Sequence, residues 1–391
     1  MSNGADVDPI TIKSGQVVPI CIEASGQASL KVYQHKRLIT PDEIRYFNMN
    51  SDSLLHSRSF TLNNPFVVHS LPLIVRLSQM GYHRFRRRWS KRFFKRPARA
   101  LFDFAYHTLN LQGQGTMTLT LPDGARPFTF NGRNLQFSGV YAYDQDFVFE
   151  APLVAIMEKV LRDREVLFDV GANWGCISLY AAAFAGYRGE IHAFEPMPGT
   201  YSDLQSVVDQ TSLGDRIHCH KVGLSDQTDT AIMVLPDRVQ SGWARIVPGG
   251  AGNGVDVAVA RLDDMGLPSP TFMKIDVEGH ELAMLQGAEK TLTDAKPYIV
   301  FENWLNRQDV AETMGPWCFL ENLGYVFYCP AWYRETPHGP EISLTNMPPT
   351  GARQCLLPYL KEHRFLGPEH WSFLAVHRDR LADLIKKFDQ N

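Results

Sequence analysis

The run Val166-Leu-Phe-Asp-Val-Gly-Ala-Asn-Trp-Gly-Cys176 constrains this chain more than any other feature. Val166, Leu167, Phe168 and Val170 are apolar and mostly bulky, which suits a strand covered on both faces. Gly171 and Gly175 let the backbone turn sharply and approach a ligand with no Cβ in the way. Asn173 stands where many such loops carry another glycine, and Asn tolerates left-handed backbone better than most residues. A second apolar strand, Ile191 to Phe194, ends in Glu195-Pro196. An acid at that tip is placed to accept hydrogen bonds from ribose hydroxyls. Strand, glycine turn, helix and second-strand acid together predict a nucleotide-type cofactor site.

Two cofactor classes use this layout. Dinucleotide enzymes favour G-x-G-x-x-G, so that a pyrophosphate can rest on the helix N-terminus. Here the order is Gly171-Ala-Asn-Trp-Gly175, preceded by Asp169. A carboxylate at the mouth of the loop repels a pyrophosphate. It suits a cationic amino-acid tail, such as the ammonium of S-adenosylmethionine. The bland alternative is that Asp169 only ties down the turn.

Three further motifs follow in order: Ala193-Phe-Glu-Pro196, Val222-Gly-Leu-Ser-Asp226 and Lys274-Ile-Asp-Val-Glu-Gly-His-Glu281. With the first loop, they make the chain resemble the FkbM-type methyltransferases, well over residues 140 to 304 and more loosely to residue 378. The resemblance implies an α/β class I methyltransferase (Rossmann-like) fold, with a seven-stranded, mostly parallel sheet and an antiparallel last strand. It also implies S-adenosyl-L-methionine as methyl donor and a hydroxyl acceptor on a sugar, glycan or secondary metabolite. It leaves the acceptor open.

The alternation of strand and helix signals from residue 166 onward independently predicts a parallel sheet with helices on both faces. Expected strands are Val166–Val170, Ile191–Phe194, Ile217–Val222, Thr271–Asp276, Tyr298–Glu302, Tyr325–Cys329 and Trp371–His377. A single helix is expected from His280 to Leu292, and Gly324 should stop the helix after strand five. Upstream, residues 1–110 read as an accessory region, mostly helical over 62–105, and 111–165 as a hairpin and a lead-in helix from Tyr141 to Leu161. The methyltransferase domain would span 166–391. The stretch Pro330 to His370 is long for a hairpin connection and reads either as an acceptor-binding element or as a solvated insertion.

Candidate site residues follow from these positions. Asp169, Gly171, Asn173, Trp174, Gly175, Glu195 and Pro196 form the expected cofactor loop and acid. Trp174 either packs beside the cofactor or buries itself behind the helix. Asp226 would meet the adenine amino group in the resembled family, or simply cap a turn. Asp276, Glu278 and His280 close strand four, the end at which open α/β sheets bind ligands. Methyl transfer to a hydroxyl needs a base within hydrogen-bond reach, and His280 is the residue tuned for neutral pH. A metal is the competing mechanism: Asp276 with Glu302 and Asn303 would offer hard oxygen ligands to Mg²⁺. A nicotinamide-dependent sugar dehydrogenase and a degenerate methyltransferase domain that only binds membrane or glycan are the rival readings.

Composition bounds the rest. A net charge of −3 excludes a general polyanion binder. The six cysteines include no C-x-x-C pair, so neither a zinc site nor a disulfide framework is expected from them. Met1-Ser-Asn-Gly-Ala-Asp-Val-Asp8 is polar and acidic, unlike a signal peptide, and a cytoplasmic protein is expected. Residues 83–99 hold nine Lys or Arg and no Asp or Glu, with Phe85, Trp89 and Phe93 at helical spacing. Such a basic amphipathic helix would lie on an anionic membrane surface, on the inner face, or bind an anionic glycan, or else pack its aromatic stripe on the protein's own core. No recognition fold accompanies it, so a nucleic acid is not the expected partner.

Overall fold

The computed structural model describes residues 62–76, 104–109, 111, 113–141, 147–234, 245–247, 254–337 and 339–389, with short strand segments between residues 18 and 56. The basic segment 83–99 lies outside the described residues. Seven strands run through the middle of a larger, thirteen-stranded sheet: β1 Leu167–Val170, β2 Ile191–Phe194, β3 Ile217–His220, β4 Phe272–Ile275, β5 Tyr298–Trp304, β6 Tyr325–Thr336 and β7 His370–His377. Their order across the sheet is β3-β2-β1-β4-β5-β7-β6. Neighbours from β3 to β5 are parallel, and β7 is antiparallel to both β5 and β6. This is the mixed α/β topology that the sequence pattern predicts.

Alternation along each strand feeds two cores. Leu167, Ile191, Phe272, Val300 and Leu374 face one way, toward helices Ala151–Val160 and Cys176–Ala183. Phe168, Phe194, Met273, Ile299 and Phe301 face the other, toward Glu281–Gln286 and Val310–Asn322. Burial on both faces explains the near-continuous apolar runs in the sequence. The helix Pro198–Gln210 starts at a proline, whose missing N–H belongs to an unpaired first turn anyway. It buries Thr200, Leu204, Val207 and Val208, a one-sided stripe. The strand-five helix is capped by Asp309, which accepts from the Glu312 amide at 3.0 Å. It ends before Gly324, whose φ of +91° is the left-handed stop expected there.

Four expectations need correction. The helix expected from His280 to Leu292 is two helices, Glu281–Gln286 and Glu289–Ala295. The break falls at Gly287, where an added Cβ would lie 1.8 Å from the Ser225 carbonyl oxygen. Residues 62–105 are not mostly helical where described: Phe66–Ser70 is a strand, paired with Gln114–Leu121 of the expected hairpin. The β-branched pair Val67-Val68 favours that choice. Strand six does not stop at Cys329. It continues to Thr336 and pairs with Gly339–Leu344 and Arg353–Tyr359, so most of the stretch from 330 to 370 extends the sheet. Trp332 is fully buried there, its Nε1 donating to the Thr345 carbonyl at 2.8 Å. The lead-in helix begins only at Ala151, after Glu150 in left-handed backbone.

Two elements flank the central sheet. A separate four-stranded sheet (Gly223–Leu224, Val255–Ala260, Asp229–Val234 and Arg245–Val247) follows β3. The upstream hairpin docks onto the β2 helix through Thr129 and Gln210, with Asn131 and Asn134 donating to Asp203. Its aromatic residues share the main core, so the expected boundary near residue 165 is not a gap in packing. Among the described residues, no helix is long and apolar enough to cross a membrane.

Candidate active site

A cavity of about 490 Å³ opens at the carboxyl ends of β1, β2, β4 and β5. Gly171, Asn173, Trp174, Glu195, Pro196, Asp276, Glu278 and His280 all line it. Eight of the expected site residues are thus brought together around one space.

The loop after β1 turns as its sequence requires. Gly171 has φ +74°, and an added Cβ would lie 1.8 Å from the Asp276 carbonyl oxygen. Asn173 adopts φ 53°, and its Oδ1 accepts from the Trp174 amide at 2.9 Å. Gly175, at φ +90°, precedes the helix and does not line the cavity. Trp174 stacks on Phe137 with ring centroids 4.4 Å apart and also meets Phe66. It therefore anchors the loop into the core while one edge reaches the cavity wall.

Asp169 does not fit its expected place as a direct partner of a cationic tail. It is 0% exposed and absent from the cavity wall. Its Oδ2 accepts from the amide and hydroxyl of Ser178 at 3.1 and 2.7 Å, bracing the first turn of the helix. Its Oδ1 lies 3.6 Å from Lys274 Nζ. The sequence placed a carboxylate at the loop; it could not show which side the carboxylate faces. Asp226 is likewise outside the wall: it is exposed, and accepts from Ser225 Oγ at 3.0 Å. Val222, Gly223, Leu224, Met233 and Ile246 form the wall on that side.

Glu195 lines the cavity at the tip of β2. Its two oxygens accept from the amides of Asn173 (3.0 Å) and Met197 (2.8 Å). Burial pushes its carboxyl up to about 7, although both amides favour the ionised form.

The far end of the cavity is acidic. Asp276, Glu278 and Glu302 bring carboxylate oxygens within 4.8 Å of one another. Burial, the largest influence, would raise the Asp276 carboxyl; the Lys274 ammonium 3.3 Å away, a hydrogen bond from Glu302 and the nearby His370 together outweigh it and hold the group low. Glu302 goes the other way: burial, then the Asp276 charge, push it well above the usual range. Asn303 is not part of this group. It is buried among Trp317, Thr313 and Arg364, so the oxygen set anticipated for Mg²⁺ is completed by Glu278 instead. His280 hydrogen-bonds Ser225 Oγ through Nε2 at 2.9 Å, and burial lowers its pKa.

Sequence reasoning missed Glu150 and His370. Glu150 lines the cavity from left-handed backbone, φ 50°, and burial pushes it up to about 7. Glu278 is also left-handed, φ 51°. Non-glycine residues held there are strained, and such strain gathers at functional sites. His370 lies at the start of β7, stacked on Trp304 at 4.2 Å, and hydrogen-bonds Glu302 Oε1 through Nε2. Only sheet pairing brings it there, opposite Trp304 in β5.

The cavity wall carries Glu150, Glu195, Asp276, Glu278 and Glu302 against the single ammonium of Lys274. That donor set repels a pyrophosphate and fits a cation. The strand order and the acid at the tip of β2 define a class I methyltransferase fold. Residues 169–327 match the Methyltransferase FkbM domain. It is 27% identical over 157 residues to the hexuronic acid methyltransferase AglP of Haloferax volcanii, covering 40% of this chain and 63% of that protein. It is 27% identical over 217 residues to the 31-O-demethyl-FK506 methyltransferase FkbM of Streptomyces tacrolimicus, covering 44% of this chain and 75% of that one. The crystal structure of Methyltransferase FkbM from Methylobacillus flagellatus KT aligns at 20% identity over 48% of each chain, with a TM-score of 0.31.

Proposed function

We propose that this chain is an S-adenosylmethionine-dependent methyltransferase that methylates a hydroxyl on a sugar, glycan or secondary metabolite. The observation that carries it is the acidic cavity at the carboxyl edge of the sheet, with Glu195 fixed at the tip of β2. The names of the two relatives, one for a hexuronic acid and one for FK506, support a hydroxyl-bearing acceptor.

S-adenosylmethionine supplies an electrophilic methyl group. Glu195 would hold the ribose hydroxyls through lone pairs its two amides leave open, and the loop from Gly171 to Trp174 would border the cofactor. The apolar wall from Val222 to Leu224, with Met233 and Ile246, suits the base. The rest of the cavity, with Glu302, His370, Trp371 and Ser372, is left for the acceptor. His370 there has the build of a general base. Its Nε2 is engaged by Glu302, which leaves Nδ1 to accept a proton, and burial lowers its pKa so that it is neutral near pH 7. His280 is the second candidate; Asp276 and Glu278 would orient the acceptor.

Calorimetric titration tests the cofactor. S-adenosylhomocysteine should bind and NAD should not. The reverse result would favour the dehydrogenase reading. The basic segment 83–99 supports a further proposal, peripheral contact with an anionic membrane, because nine cationic residues stand there without one acid. Sedimentation with phosphatidylglycerol vesicles at low and high salt checks it: no binding at low salt removes the idea.

A further inference from the structure

A second constellation lies away from the cavity, at the amino ends of β2 and β3. His192 and His218 are register partners in these strands, and Glu190 immediately precedes β2. One ligand atom from each of Glu190, His192 and His218 falls within 4.8 Å of the others. His192 is 5% exposed, and its Nε2 has no hydrogen-bond partner. The nearest Glu190 oxygen is 3.6 Å away, beyond hydrogen-bond range. A buried polar atom left unsatisfied needs a reason.

The other ring nitrogen supplies one. His192 Nδ1 lies 3.0 Å from His220 Nε2, and the two rings stack with an interplanar angle of 12°. If Nδ1 donates to His220, Nε2 carries a free lone pair aimed between Glu190 and His218. Fixing one nitrogen so that the other can ligate is the usual device at histidine metal sites. Cys219 alternates to the opposite face of β3 and takes no part.

We propose that Glu190, His192 and His218 form a divalent metal site, with two imidazoles and one carboxylate suited to Zn²⁺. Three such ligands leave a fourth position for water. The ligand atoms need only a small approach, which the half-exposed Glu190 side chain can provide. The site stands at the sheet end opposite the ligand-binding edge, so its role is to clamp β2 to β3, not to take part in transfer. Neither the motifs in the sequence nor the relatives' names point to it.

Cobalt substitution tests this with the untagged full chain. Co²⁺ titration should give one visible-absorbing equivalent per chain, displaced by Zn²⁺. His218→Ala and Glu190→Gln should each abolish the band or weaken Co²⁺ binding about 100-fold or more. Loss of a mere second-layer partner already costs about 10–100-fold, which is the range expected for His220→Ala. S-adenosylhomocysteine affinity should stay the same in all three variants, showing that they are folded. The site is overturned if no band forms, or if the folded His218 and Glu190 variants bind Co²⁺ as wild type does.

Discussion

Lys274 donates to the carbonyl of Gly171 at 2.8 Å, joining the end of β4 to the first turn of the β1 loop. The same ammonium lies 3.6 Å from Asp169 and 3.3 Å from Asp276. One buried cation thus ties the loop after β1 to an acid at the far end of the cavity. Burial disfavours its charge, but Asp276, Asp169 and Glu150 outweigh that and raise its pKa.

Removing that charge should be severe. Lys274→Met leaves Asp169 and Asp276 without their cation, and a broken buried pair costs about 3–5 kcal/mol. Urea unfolding at neutral pH should show a midpoint lowered accordingly. An unchanged midpoint would mean that the two carboxyls take up protons and the ammonium is dispensable.

Glu195 should matter to affinity more than to folding. Hydrogen bonds to a charged group contribute roughly 1.5–3 kcal/mol. Glu195→Ala should weaken S-adenosylhomocysteine binding about tenfold or more, with the far-ultraviolet circular dichroism retained. Equal affinity in calorimetry would remove Glu195 from the cofactor site.

The ligand-free protein should lose stability as pH rises. Burial moves the Glu195 carboxyl from 4.5 to about 7. Between those values the unfolded chain has released this proton and the folded chain keeps it. The folded state binds more protons, so stability falls through this window and levels off above it. At about 1.4 kcal/mol per pH unit, the upper bound for this group is on the order of 3 kcal/mol. Glu150 and Glu281, also pushed up to about 7 chiefly by burial, act in the same direction. Denaturant midpoints measured from about pH 5 to about pH 8 should decline in wild type and decline less in Glu195→Gln. A rising profile would contradict the assignment of these carboxyls as buried acids.

What the sequence made legible were local signals. The four motifs each sit at a strand end, where short-range pattern fixes the backbone, and Gly171, Glu195 and Asp276 all line the cavity. The side-chain direction of Asp169 depends on Ser178 and Lys274, one of them more than a hundred residues away. The Glu302–His370 pair depends on the antiparallel register of β5 and β7, and no one-dimensional spacing records that. The glycine at the helix break, Gly287, lies against the Ser225 carbonyl, again a tertiary contact. The extension of β6 beyond Pro330 needed partner strands that the sequence, read alone, presented as a loop.

The choice of base can be decided by comparing the two cavity histidines. His280 is held to Ser225, beside the wall formed by Leu224, whereas His370 is held to Glu302 at the end of the cavity nearest β5 and β7. A base acting on the acceptor hydroxyl contributes about 10²–10⁴-fold. His370→Ala should therefore lower kcat by about 10²-fold or more, with S-adenosylhomocysteine affinity unchanged. Glu302→Gln should lower kcat less and shift its pH profile, because the amide still accepts from Nε2 but no longer supports an imidazolium. His280→Ala is expected to leave kcat within about tenfold of wild type. If instead His280→Ala carries the large loss and His370→Ala does not, the roles are reversed. If neither does, and EDTA abolishes activity that Mg²⁺ restores, Asp276, Glu278 and Glu302 act through a metal.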